Sequence, residues 1–351
     1  MLIEIKIGGK SINEENLPFI IAEAGLNHNG DLEKALEMIS IAKNAGVDAV
    51  KFQTFKAHEI VEDTKLTYSY KSQGKEITES MYEMFKRCEF SKKEWHEIKR
   101  KCDDEKIIFL STPQNRSDLD LLLEIGISAI KVGSDDFTSL PLLKSFASTK
   151  LPLILSCGMS NLGEVYNALE SVGALDGYPT ILLLTTSQYP TPIEEVNLQK
   201  IITLSNSFPK IPIGFSDHTI GNVAASMAVC LGACVFEKHF TLDHNLPGPD
   251  HWFAADSQQL KEYVITIKNA KKILGSGIVR ATNSEEKMKI SARRSVTSLS
   301  DIKKFETLSN ENLGMRRPGD GISTAYLDEI IGKKALKEIK KGSKIKFGDF
   351  G

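Results

Sequence analysis

Short apolar runs alternate with amphipathic stretches over most of the chain. Residues 19–22, 49–53, 107–111, 129–133, 152–156, 180–186, 211–215 and 233–236 are too short for buried helices and read as buried strands. Between them, apolar residues fall at helical spacing. Leu32, Ala35, Leu36, Met38 and Ile39 share one face of a helix capped by Asp31 and ending near Gly46. The spacing predicts further helices over 91–105, 117–125, 139–148, 161–171, 197–206, 222–231 and 257–274. Eight strand-then-helix units in about 250 residues describe a TIM (β/α)8 barrel, an α/β fold. An open doubly wound sheet needs fewer strands and a G-x-G-x-x-G phosphate loop, which is absent from the sequence.

The pattern also marks what lies outside the barrel. Met1–Ile7 with the Gly8-Gly9 turn reads as an opening hairpin-like segment, and residues 56–90 form a long polar and aromatic excursion with Tyr68, Tyr70 and Tyr82. Such a length exceeds a plain connection and makes the excursion a candidate substrate lid. After residue 275 the texture changes. Residues 276–292 read as a linker with a polar connector, Arg280–Lys289, and residues 293–351 as a small β-rich domain. That domain has short β-like runs (Arg294–Leu299), a turn at Asp301–Lys304 and the loop Met315–Gly321. At about sixty residues it is near the lower limit for folding alone.

With 41% hydrophobic and 26% charged residues in 351, the composition is that of a globular protein with a sizeable core. A formal charge of −2 gives no global attraction to nucleic acid or an anionic membrane, so an anionic substrate has to be met by local lysines, arginines and amides. The five cysteines, Cys88, Cys102, Cys157, Cys230 and Cys234, form neither a disulfide framework nor a zinc ribbon. No signal-like start and no uncharged run of ~20 residues is present, so the expectation is a cytoplasmic protein.

Candidate chemistry gathers at strand ends. Parallel strands joined by a helix open on one side of the sheet, so the runs over 211–215 and 233–236 deliver His218 and His239 to the same mouth. Two neutral imidazoles suit a divalent metal with positions left open for substrate and water. The pair is flanked by Ser216, Asp217, Glu237 and Lys238. Collecting the other ends gives Glu23, Lys51, Gln53, Ser111, Thr112, Lys131, Ser134, Ser156, Ser187 and Tyr189. Lysines beside hydroxyls at a barrel mouth are costly unless they face an anion or a carboxylate, and a phosphate fits them.

These residues carry a resemblance. Glu23–Gly30 (EAGLNHNG), Val50–Thr54 (VKFQT), Ser111–Pro113 (STP), Lys131–Ser134 (KVGS), Gly214–Thr219 (GFSDHT), Glu237–Phe240 (EKHF), Pro247–Asp250 (PGPD) and Arg317–Gly321 (RPGDG) together resemble the sialic acid synthase family. That family condenses phosphoenolpyruvate with an N-acylated hexosamine to make nonulosonic acids. The C-terminal domain is similar to type III antifreeze proteins, so the likeness spans nearly the whole chain.

The resemblance implies that His218 and His239 hold a divalent metal, usually manganese, with magnesium or cobalt as alternatives. It implies that Lys51, Thr112, Lys131, Ser134, Ser156, Ser187, Tyr189 and Ser216 surround phosphoenolpyruvate, and that Glu23, Gln53 and Asp250 contact the sugar. Arg317 is implied to reach the N-acyl group from the partner in a homodimer whose C-terminal domains are exchanged. Glu23, Asp217, His218 and His239 are the candidate catalytic residues. The chain departs from the family pattern at Ser134-Asp135-Asp136, where S-G-E is usual, and at Ser187, where sialic acid synthases commonly have asparagine. The accepted sugar stays open between N-acetylmannosamine and a 2,4-diacetamido-trideoxy hexose. A metal-dependent barrel hydrolase is the competing enzyme reading; it calls for an H-x-H pair after the first strand, where His28 stands alone. A non-catalytic carbohydrate-binding protein is the other alternative.

Overall fold

The computed structural model describes residues 4–351, so Met1–Ile3 of the expected opening segment lie outside the described residues. The chain divides into two units, Met1–Gly275 and Ser276–Gly351.

The first unit opens with a hairpin, β1 (Ile5–Ile7) and β2 (Lys10–Ile12), followed by β3 (Phe19–Gly25), α1 (Leu32–Ala45) and β4 (Ala49–Thr54). Next come α2 (Ala57–Ile60), a second hairpin of β5 (Thr67–Ser72) and β6 (Lys75–Ser80), α3 (Met81–Lys86) and α4 (Lys92–Asp104). Regular alternation follows through β7 (Ile108–Pro113), α5 (Arg116–Ile125), β8 (Ile130–Val132), α6 (Leu140–Ala147), β9 (Leu153–Ser156), α7 (Leu162–Ser171), β10 (Thr180–Thr185) and α8 (Gln199–Ser207). It ends with β11 (Ile213–Asp217), α9 (Val223–Cys230), β12 (Val235–His239) and α10 (Ser257–Leu274). Eight parallel strands, β3, β4, β7, β8, β9, β10, β11 and β12, close into a barrel in that order.

Strand periodicity builds two cores and the site at once. Alternate residues of each strand face inward, and Ile21, Ala49, Leu110, Ala129, Ile154, Ile181, Leu183 and Val235 fill the lower barrel. Ile5, Ile7 and Ile12 of the opening hairpin belong to that cluster and plug the end opposite the catalytic mouth. Gly214 faces inward because a Cβ there would lie 2.5 Å from both the Leu183 side chain and the Val235 carbonyl. Outward residues pack under the helices, whose ends follow local chemistry. Asp31 accepts from the Glu33 and Lys34 amides to start α1, and Gly46, at φ +84°, closes it.

The excursion over 56–90 is a formed subdomain. Leu26, Phe55, Met84 and Cys88 make a small cluster with Tyr70 and Phe85 packed against it, so this segment has its own apolar support.

The second unit begins with α11 (Asn283–Ala292), in the stretch expected to be a polar connector. Thr282 and Glu285 form a capping box that starts this helix, and the charged residues that suggested a linker are its solvated faces. β13 (Ser295–Ser298), β14 (Leu313–Arg316) and α12 (Leu327–Ile330) complete the elements, with β13 and β14 antiparallel. Val296, Ile302, Leu308, Leu313, Ile322, Ile330, Ala335, Ile339 and Ile345 form a core of their own. Met315 and Arg316 lie in β14 rather than in the loop after it. Within that loop Ser295 Oγ donates to the Pro318 carbonyl (2.7 Å) and the Gly319 amide donates to the Ile290 carbonyl (2.7 Å), which pins it to β13 and α11.

Candidate active site

At the C-terminal ends of the barrel strands four charged side chains are buried together. Lys51 Nζ lies 2.9 Å from Glu23 Oε2 and donates to Thr112 Oγ1 at 3.1 Å. Lys131 Nζ donates to Ser156 Oγ (2.8 Å) and to the Val132 carbonyl (2.9 Å). Glu237 stands between the two lysines, 4.0 Å from Lys51 Nζ and 3.7 Å from Lys131 Nζ, and accepts from Ser216 Oγ at 3.1 Å. Gln53 Nε2 donates to Glu23 Oε1 at 3.1 Å.

Burial sets the protonation of this group. It raises Glu23 above the usual carboxylate range despite the Lys51 charge beside it. The same desolvation acts on Glu237, but Lys131 and Lys51 outweigh it and hold that carboxyl low. Lys131 is pulled down by desolvation, whereas for Lys51 the charges of Glu23 and Glu237 overcome burial and raise it.

Above the quartet sit the imidazoles, with His218 and His239 ring centroids 5.3 Å apart. Burial lowers both, and after it the neighbouring His218 ring and the lysines hold His239 well below the usual histidine range. His218 Nδ1 donates to the Thr186 carbonyl (2.8 Å), which leaves Nε2 with its lone pair free but for Ser216 Oγ at 3.5 Å. His239 Nδ1 is buried without a hydrogen bond, 3.6 Å from Asp250 Oδ2. Burial and the Glu23 charge push Asp250 up to about 7. Two neutral imidazoles, one with an orphaned buried nitrogen and the other oriented by a carbonyl, fit a divalent cation as a pair of protein ligands. Among the described residues no group of three or more His, Cys, Asp or Glu side chains has metal-binding geometry. Tyr189 leans on His218 at 4.2 Å between centroids, and Phe253 packs against both Tyr189 and His239.

Beside Lys131 the hydroxyls converge. The Gly158 amide donates to Ser134 Oγ at 3.0 Å, and a Cβ on Gly158 would stand 2.4 Å from Ser187 Oγ and 2.7 Å from Ser134 Oγ. Ser187 Oγ is buried and unpartnered. The Ser134 and Ser187 hydroxyls thus converge over Gly158, two residues from the Ser156 hydroxyl that Lys131 grips.

The structure therefore brings Glu23, Lys51, Gln53, Thr112, Lys131, Ser134, Ser156, Ser187, Tyr189, Ser216, His218, His239 and Asp250 to one mouth. Arg317 belongs to the second unit. Asp217, a catalytic candidate from the sequence, does not join this mouth. It is one residue out of phase with Ser216 and His218, and it faces the helices. There it pairs with Lys238 (3.3 Å) and accepts from Thr219 Oγ1 (2.7 Å), while Lys238 Nζ lies over the Tyr263 ring and donates to the Thr219 carbonyl. This ion pair braces the residue after His218 from behind. Asp217→Ala is expected to lower stability by roughly 3–5 kcal/mol, because Lys238 is left buried without a counterion, and to leave kcat of the folded fraction nearly unchanged. Denaturant unfolding beside initial rates checks this: a fall in kcat at unaltered stability returns Asp217 to the chemistry. Glu237, named from the sequence only as a neighbour of the histidines and given no role there, is central to the buried quartet. The two-residue strand period counted back from His239 points to it and at the same time rejects Lys238.

Residues 38–279 match the NeuB family and residues 293–351 match the SAF domain. The chain belongs to the NeuB family. An N,N'-diacetyllegionaminic acid synthase from Campylobacter jejuni is 42% identical over 93% of this chain and 98% of its own length. Another of that name, from Legionella pneumophila, is 39% identical over 93% of this chain and 92% of its own. The crystal structure of a sialic acid synthetase from Leptospira borgpetersenii, in complex with citrate, superposes with a TM-score of 0.73 at 35% identity, covering 81% of this chain and 94% of that one. This NeuB-family chain is an enzyme, a transferase of the acid-synthase kind. No helix among its described residues is long and apolar enough to cross a membrane.

Proposed function

We propose that this NeuB-family enzyme condenses phosphoenolpyruvate and water with an N-acylated hexosamine, releasing phosphate and a nonulosonic acid, and that its sugar is a 2,4-diacetamido-trideoxy hexose. The observation that carries the reading is the buried Lys51, Glu23, Glu237 and Lys131 quartet, with the hydroxyls that converge over Gly158 on one side and two neutral imidazoles on the other. The two relatives named for diacetyllegionaminic acid support the choice of sugar.

C3 of phosphoenolpyruvate bonds to the C1 carbonyl carbon of the open-chain sugar, water adds at C2, and the C2–O bond breaks to release phosphate. Lys51 and Lys131 hold the phosphate, with Thr112, Ser134, Ser156 and Ser187 as the hydroxyls around phosphoenolpyruvate. His218 and His239 would hold a divalent cation, manganese being the expected one, which supplies Lewis acidity to the sugar's carbonyl oxygen. Gln53, Glu23 and Asp250 orient the sugar hydroxyls. Tyr189 and Phe253 wall the imidazoles. The rate gain comes chiefly from bringing two substrates and a water into one geometry against preset dipoles. The working unit is a homodimer in which Arg317 of one chain reaches the acyl group held by the other.

Phosphate release from phosphoenolpyruvate with each of N-acetylmannosamine, the 2,4-diacetamido-trideoxy hexose and a pseudaminate-type precursor tests the reading. The second sugar is expected to give the highest kcat/KM, and release with none of them overturns it. Lys131→Ala is expected to raise KM for phosphoenolpyruvate about 10- to 100-fold, from the loss of a charge-assisted contact worth roughly 1.5–3 kcal/mol, with a small change for the sugar. Because the variant also removes a cation from Glu237, its melting temperature is measured alongside. An effect confined to the sugar reassigns Lys131.

A further inference from the structure

The β5–β6 hairpin is held to the loop that carries Asp250 at three points. The Gly248 amide donates to Ser72 Oγ (3.1 Å), Gln73 Nε2 donates to the Asn245 carbonyl (2.8 Å), and Lys71 Nζ lies 4.7 Å from the Trp252 ring centroid. These contacts bracket Asp250 in sequence, and Asp250 in turn touches His239. Along β5 the residues Tyr68, Tyr70 and Ser72 share one face, passing from exposed to buried as they approach that loop. Tyr70 is fixed. It packs on the Leu26, Phe55, Met84 and Cys88 cluster and donates its hydroxyl to Glu79, which Arg87 also grips.

Tyr68 stacks on Tyr70 with ring centroids 5.8 Å apart and an interplanar angle of 28°, yet stays 38% exposed. A Cβ on Gly25 would stand 3.5 Å from Asp250 Oδ2, and the next residue, Leu26, belongs to the cluster on which Tyr70 packs, so the Tyr68–Tyr70 stack lies on the Asp250 side of the mouth. An aromatic ring backed by a second ring, braced by an ion pair and left uncovered has lost its side-chain freedom in advance. It presents a flat apolar platform to whatever enters beside Asp250.

We propose that Tyr68 is a specificity-determining residue whose ring contacts the C6 methyl and C4 acetamido end of the sugar. This rests on the functional reading above. With the carbonyl carbon at the imidazoles, the far end of the sugar passes Asp250 and meets the hairpin. A methyl and an acetamido methyl gain from an aromatic surface, whereas the hydroxyls of N-acetylmannosamine at those positions lose hydration to it. Ser72 is a positioning residue, since its hydroxyl ties the platform to the Asp250 loop.

The test compares wild type, Tyr68→Ala, Tyr68→Phe and Ser72→Ala with both sugars at saturating phosphoenolpyruvate, with Trp252 fluorescence and melting temperature as readouts of hairpin docking and folding. Tyr68→Ala is expected to lower kcat/KM for the diacetamido sugar about 10-fold, mostly through KM, and to change that for N-acetylmannosamine less than about 2-fold. Tyr68→Phe should keep the preference, and Ser72→Ala should lose part of it with a shift in Trp252 emission. KM for phosphoenolpyruvate should not move. Equal losses with both sugars, an altered KM for phosphoenolpyruvate, or no change in preference overturns the assignment while wild-type turnover leaves the functional reading standing. Absence of wild-type turnover with either sugar overturns both.

Discussion

His218→Ala and His239→Ala are each expected to fold normally and to lose turnover at least about 100-fold, together with tight binding of manganese. The reason lies in the proposed donor set: it has two imidazoles, and among the described residues no group of three or more His, Cys, Asp or Glu side chains has metal-binding geometry. Both rings are neutral through burial, so no proton has to leave before a cation binds. The Thr186 carbonyl holds the His218 ring so that Nε2 is the free nitrogen. Equilibrium dialysis with manganese reads binding independently of turnover, and melting temperature reports folding. Removal of a buried neutral imidazole leaves no charge stranded, so the expected destabilisation is far smaller than for Asp217→Ala. Undiminished activity of either variant in chelator overturns the metal assignment, and so does wild-type activity that survives exhaustive chelation.

Much of this site was legible in the chain because strands carry a two-residue period and parallel strands open on one side. Runs such as Ile211–Phe215 and Ala233–Phe236 located their strands within two or three residues at either end. Their histidines then had to meet, and the structure places them 5.3 Å apart. Collecting strand ends without their phase was less reliable. Asp217 and Lys238 look like mouth residues beside the histidines, but one residue of phase turns them into an ion pair behind the barrel, and it turns Glu237 inward between two lysines. Charge-rich segments were the hardest to read. Asn283–Ala292 has the composition of a linker, and only its capping box distinguishes a solvated helix from a tether. The excursion over 56–90 also hid its order. The pairing of β5 with β6 and the cluster beneath Tyr70 depend on Leu26 and Phe55, which sequence places on other elements.

Mixing two inactive variants is expected to restore activity. The proposed dimer places Arg317 of one chain at the sugar bound by the other, and two features of the second unit support that reading. Residues 276–351 carry sixteen Lys and Arg against ten Asp and Glu, while the whole chain is formally −2, so the barrel holds the acidic excess and the two units are electrostatically complementary. The Arg317 loop is also preorganised: Ser295 binds it at Pro318 and Gly321, and Ile290 of α11 binds it at Gly319. His239→Ala chains lack an imidazole but keep Arg317, and Arg317→Ala chains keep the whole barrel. After subunit exchange at equal concentrations, random pairing makes half of the dimers mixed, each with one site that has both wild-type residues. Activity should therefore rise from background to about a quarter of wild type. If Arg317 instead serves the barrel of its own chain, every site lacks one of the two residues and the mixture stays as inactive as its components. Exchange itself is followed by native mass spectrometry of one isotopically labelled variant, so silence with mixed dimers present rejects the crossed arrangement.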